Sequence, residues 1–336
     1  MKKFITSLMA LAVAVVANAQ SVFVLQNGDR VQFFQKFGDA VSNIQSGDTL
    51  YLPGNTVSGY YTLDKKVCII GAGYDLDSAA VTGITHITGS LEFATGSEGS
   101  SVTGVKIGKY VYVTTSSISI SRCEMGGLSI NTPEGAQPIA NTLVSDCKIR
   151  GKVEGSNDNV INTLIVRCIL YGQIASGYKT NNMLVKNCLL LYNPNSFSSY
   201  SNIHDMIIEN SIITCNTSNI FSSIISGDLD CSGITLTNNL WTRDPFNYAS
   251  FTMSNNVFNV PMDDIFVDAA NGDYHIKPTC TQALTLAKDG KQVGIYGTDY
   301  PFLVPTCAPR IISVDNAENV VDGKLSVKMK VEARNR

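Results

Sequence analysis

The stretch VKNCLLLYNP (Val185–Pro194) decides the fold, because the chain writes its pattern repeatedly. IVRCILYGQI (Ile165–Ile174) precedes it and IENSIITCN (Ile208–Asn216) follows it. Aligned on the central residue, Cys123, Cys147, Cys168, Cys188, Ser211, Asn239 and Asn256 form one column at intervals of roughly 17 to 28 residues. Three positions earlier stand Ile120, Val144, Ile165, Val185, Ile208, Leu236 and Met253, all apolar. Two positions later stand Met125, Ile149, Leu170, Leu190, Ile213, Trp241 and Phe258. Immediately before the column come Arg122, Asp146, Arg167, Asn187, Asn210, Asn238 and Asn255.

Along a straight strand, residues an odd number apart point to opposite faces. The minus-three and zero positions therefore share an inner face only if the chain bends between them. Asn at minus one suits that bend, since it tolerates a left-handed backbone. Strand, corner, strand, repeated at this period, describes an all-β coil of parallel strands stacked rung on rung. The four cysteines then point inward from parallel strands about 4.8 Å apart, a poor geometry for disulfides, and read as small buried thiols. Cys280 and Cys307, in irregular sequence, are the expected bonded pair among the nine cysteines.

These residues resemble the right-handed parallel β-helix family, the pectate-lyase-like superfold. IENSII and LTNNLW are similar to its asparagine-ladder turn, and Gly47–Gly73 (GDTLYLPGNTVSGYYTLDKKVCIIGAG) to its entry rungs. FVDAANGDYHIKP and VGIYGTDYPF resemble the closing segment of secreted bacterial members, so the resemblance covers about residues 30–302. Residues 1–19 have the basic start, short apolar run and Ala17-Asn18-Ala19 ending of an export leader. The expected organisation is leader 1–19, N-terminal cap 20–50 with a short helix burying Phe37, Ala40, Val41 and Ile44, rungs 51–260, closing segment 261–302 and tail 303–336. The expected destination is the periplasm, the outer surface or the medium. In the tail, Leu325, Val327, Met329, Val331 and Ala333 alternate with polar residues, which predicts one half-buried strand docked on this chain or a partner.

The resemblance brings enzymes to mind, and the residues answer only in part. A net charge of −3 without a basic tract argues against nucleic acid. No apolar run is long enough to span a membrane. Of the motifs of the family's galacturonan hydrolases, only an Asp pair occurs, Asp263–Asp264. The resemblance implies Ca²⁺ only if the chain is a lyase, and no carboxylate cluster recurs over adjacent rungs. Asp228 and Asp230 read as a polar turn, and His86, His204 and His275 lack metal-ligand spacing, so no metal or cofactor is expected. Arg122, Asp146 and Arg167 share one column, as a catalytic constellation or as a solvated ion ladder. Tyr171, Tyr178, Tyr192, Tyr200 and Tyr248, with Arg243 and Asp244, follow consecutive corner strands. They read as a sugar-stacking flank or as rings covering the coil. The expected function is glycan binding or adhesion. A polysaccharide lyase or hydrolase and an assembly component remain the alternatives. One further column raises a question of cover: after Glu124 and Lys148 it reads Ile169, Leu189, Ile212, Leu240 and Val257. That outer apolar stripe predicts a cover, from loops, from residues 324–333 or from a protein partner.

Overall fold

A computed structural model describes residues 22–75, 82–133, 136–155, 160–172, 174–176, 180–191, 205–214, 232–245, 251–302, 310–316 and 327–332. The leader-like residues 1–19 lie outside these. Among the described residues no helix is long and apolar enough to cross a membrane. The chain is a parallel β-solenoid, as the repeat requires.

Strands before the corner, from Ser101–Thr103 through Leu143–Ser145 and Met183–Lys186 to Phe251–Ser254, pair in parallel within one sheet of 12 strands. Register sets Ile120, Val144, Ile165, Val185, Ile208, Leu236 and Met253 side by side. Strands after the corner form a second sheet that aligns Met125, Ile149, Leu170, Leu190, Ile213 and Trp241. Cys168 and Cys188 thus sit on neighbouring rungs. Every minus-one residue adopts the left-handed conformation, with φ between 50° for Arg122 and 55° for Asn238. One rung upstream a glycine takes this place: Gly104 has φ 70° between Val102 and Val105. A second left-handed column escaped the sequence reading. Ser117, Asn141, Asn162, Asn182 and Asp205, six positions before the central column, turn the chain into the first sheet.

The central column is a hydrogen-bonded ladder. The Cys123 N–H donates to Cys147 Sγ, Cys147 to Cys168 Sγ and Cys168 to Cys188 Sγ, each at 3.4 Å. The series continues with Cys188 N–H to Ser211 Oγ (3.0 Å), Ser211 to Asn239 Oδ1 (2.9 Å) and Asn239 to Asn256 Oδ1 (3.1 Å). Each side chain also donates to an inner carbonyl, such as Ser145 O for Cys147 and Ile208 O for Asn239. Cys, Ser and Asn share the column because each offers an acceptor and a donor on a short stem. The cysteines are therefore more than small apolar fillers. They are free thiols, and burial pushes Cys147 and Cys188 well above the ordinary thiol range, which keeps their protons in place for donation.

At the N-terminal end, helix α1 (Phe37–Ser42) buries Phe37 and Ala40 against the core, with Ile44 beside them. Asp48 ties this end together. Its buried carboxylate accepts from Arg30, from Asn27 Nδ2 (3.0 Å) and from the Gln45 N–H (2.8 Å). Burial pushes the Asp48 carboxyl upward, but these partners outweigh burial and hold it below 3.8. A depressed folded pKa means a contribution fully present above the unfolded value and lost as pH falls through the folded one. Asp48→Asn is therefore expected to lower stability at neutral pH and to flatten its decline below pH 3.8, read from urea midpoints across an acid series.

The closing segment does not simply end the coil; it runs back as a strap over the outer face. Ile169, Leu189, Ile212 and Leu240, the apolar stripe, are each no more than 2% exposed. Ile265, Phe266, Tyr274, Ala283, Val293 and Ile295 of the strap pack on them. The strap is also sewn to the asparagine corner: Gly294 N–H donates to Asn210 O (2.8 Å), Lys288 N–H to Asn210 Oδ1 (3.1 Å), and Asn238 Nδ2 to Leu286 O (2.8 Å). This explains why two columns change character within a rung of each other. Under the strap the outer residue is apolar from Ile169 onward and the corner residue is Asn from Asn187 onward, with Arg167 still at the corner of the Ile169 rung; on the earlier rungs they are Arg122 or Asp146 and Glu124 or Lys148.

The described residues that cover the stripe all lie within 260–302; the side chains of residues 324–333, the other cover expected on this chain, lie mostly outside the described residues. The tail strand docks on this chain: Val327–Glu332 pairs antiparallel with Arg310–Asn316 as a hairpin, which meets the demand of the alternating sequence for a partner strand. Cys280 carries a free thiol, so the expected bond to Cys307, which lies outside the described residues, is not formed.

Candidate functional site

The second sheet carries an outward aromatic face on its N-terminal rungs. In the strand Lys106–Val113, Val111 and Val113 point into the core, so Tyr110 and Tyr112 stand outward. Tyr112 pairs with Glu92 on one neighbouring strand and with Ser129 on the other, and Glu92 pairs with Thr62. Tyr60 lies on the same strand as Thr62 and is 56% exposed. The rings converge. Tyr110 and Tyr112 stack with centroids 5.7 Å apart at 24°, and Tyr60 meets Tyr112 at 5.9 Å and 40°. Gly127 makes room for this, since a Cβ there would lie 2.6 Å from the Tyr110 ring.

Glu92 is the polar centre of the face. It accepts from the Tyr60 hydroxyl at 2.6 Å and from Thr62 Oγ1 at 3.0 Å. Burial, then the hydrogen bond and charge of Glu92, push the Tyr60 hydroxyl upward, and burial and Glu154 do the same to Tyr110. Both hydroxyls stay protonated as donors. Glu92, Tyr112, Ser129 and Glu154 occupy one row across four paired strands. Three strand spacings set the backbones of Glu92 and Glu154 about 14 Å apart, beyond the roughly 5–9.5 Å of a glycosidase carboxylate pair.

Beside it lies an ionic cluster. Glu124 accepts from Lys106 (3.1 Å) and Arg150 (3.0 Å), and Lys148 lies 4.0 Å from Asp75. Burial raises the Glu124 carboxyl, but Arg150 and Lys106 hold it below its usual range. The Arg150 guanidinium stacks 4.4 Å from the centre of the Tyr171 ring.

The residues singled out from sequence are placed as follows. Arg167 grips Asp146 through two parallel bonds of 2.8 Å, which raises the Arg167 guanidinium and occupies both Asp146 oxygens. Arg122 stands one rung away at the same corner. Tyr171 lies under the Arg150 guanidinium and beside the strap's Tyr274. Arg243 and Asp244 follow the strand Leu240–Trp241, Asp244 exposed and Arg243 half-buried. Tyr178, Tyr192, Tyr200 and Tyr248 lie outside the described residues, as do His204, Asp228 and Asp230. Asp263 and Asp264 form the first turn of helix α2 (Met262–Ile265) in the strap. His275 stacks on Tyr296 at 4.2 Å and bonds Asp273. Among the described residues no group of His, Cys, Asp and Glu is arranged to hold a metal ion. The tyrosine face itself escaped the sequence reading, although YYTL (Tyr60–Leu63) and KYVYV (Lys109–Val113) carry outward tyrosines in alternation.

Comparison with known proteins brings out no matching family model, no similar characterised protein and no similar solved structure.

Proposed function

We propose that this is an exported glycan-binding protein whose tyrosine face holds a saccharide chain. The observation that carries the reading is the outward Tyr60–Tyr112–Tyr110 cluster, Tyr60 exposed and the other two half-buried, gathered around Glu92. Tyrosine offers the apolar C–H faces of sugar rings a rigid surface at low entropic cost. Glu92 and Glu154 offer hydroxyl partners in register with the rings. The leader-like residues 1–19 support export. Tyr112→Ala removes the ring shared by both contacts and is expected to weaken retention in polysaccharide affinity gels about tenfold or more, with an unchanged melting temperature. Unchanged retention with a lowered melting temperature would show the rings to be a structural ladder instead.

A further inference from the structure

A cleft of about 670 Å³ opens between the last asparagine corners and helix α3 (Thr281–Thr285) of the strap. It arises because the strap leaves the corner ladder one rung early. On two preceding rungs the corner asparagines bind main-chain amides: Asn210 Oδ1 accepts the Lys288 N–H, and Asn238 Nδ2 donates to Leu286 O. Asn255 stands on the next rung, about 4.8 Å further on, in the same left-handed conformation. It is exposed, lines the cleft, and its carboxamide meets no partner among the described residues. The same group that twice reads a secondary amide is therefore presented to solvent.

We propose that this cleft binds the acetamido group of an N-acetylated sugar. Asn255 would pair with the acetamido N–H or C=O as its neighbours pair with the strap. Val257 and Ala287 supply a small apolar surface matched to a methyl group, and Thr285, Gln282 and Lys288 supply hydroxyl partners. The lining has no large apolar recess of the kind that peptide side chains would fill. The site lies on different rungs and elements from the tyrosine face, so the two stand or fall separately.

The test is a titration of the full chain, following the Asn255 side-chain amide by NMR, with diacetylchitobiose, cellobiose and a capped dipeptide. Diacetylchitobiose should shift the Asn255 signals saturably and cellobiose should not. Asn255→Gly keeps the left-handed backbone but removes the carboxamide, so affinity should fall about tenfold with an unchanged urea midpoint. Tyr112→Ala should leave this binding intact. Equal response to cellobiose, no response to any sugar, full affinity in Asn255→Gly, or tighter binding of the dipeptide would each overturn the proposal.

Discussion

A chain ending at Val260 is expected to bind a hydrophobic dye and to self-associate, whereas a chain ending at Phe302 should remain dye-silent. Removing the strap bares Ile169, Leu189, Ile212 and Leu240 on adjacent strands of one sheet. Full burial of such side chains is worth about 1.5–3 kcal/mol each, so the stripe alone represents about 6–12 kcal/mol. That is comparable with the whole net stability of a typical domain. The same cut also strands the Asn210 and Asn238 carboxamides, which now bond strap main chain. Because the described cover lies within 260–302, loss of residues 303–336 should leave the stripe dry. Ile295→Asp supplies a second arm: a charge forced into that 2%-exposed position should loosen the strap and raise dye binding in the full-length chain. A soluble, dye-silent 1–260 chain would mean that the stripe is protected by something other than the strap.

The contrast between what the sequence disclosed and what it withheld has a physical cause. The corner was legible because every rung repeats the same demands: an inward apolar residue, a left-handed residue, a short side chain able to accept an N–H. Few residue types meet each demand, so Cys188, Ser211 and Asn239 align despite their different chemistry. The stripe announced that a cover existed, since Ile169 follows Lys148 in a column that should face water. It did not name the cover, because the strap is made of short helices and irregular turns whose hydrophobic residues keep no period. The tail strand was legible by alternation, but its partner Arg310–Asn316 sits across a connection that no periodicity spans. The tyrosine face was hardest to see. Outward residues are unconstrained by the coil, and Tyr60, Glu92 and Tyr112 become neighbours only when register stacks strands from three rungs.

The ladder itself makes the sharpest demand on a single side chain, and Asn239→Leu should be among the most damaging substitutions in the rungs. Asn239 is fully buried. Its Oδ1 takes the Ser211 N–H at 2.9 Å and its Nδ2 donates to Ile208 O at 2.8 Å. Leucine keeps the branch at Cγ, though with greater bulk, and answers neither group. Each buried main-chain group left unpaired costs about 1–3 kcal/mol, so a loss of about 2–6 kcal/mol is expected. It should register as a lower urea midpoint with an unchanged slope. The cysteine rungs predict a graded series. At 3.4 Å the thiol is a weak acceptor, so Cys168→Val should cost less than Asn239→Leu, on the order of 1 kcal/mol. Cys188→Ser should cost least, because Ser211 performs the same double role one rung later, taking the Cys188 N–H and donating to Glu209 O. If all three variants unfold at one midpoint, the column serves only to fill space, and its restriction to Cys, Ser and Asn must have another origin. If they separate in the order expected, the ladder's hydrogen bonds, rather than side-chain volume, define the corner.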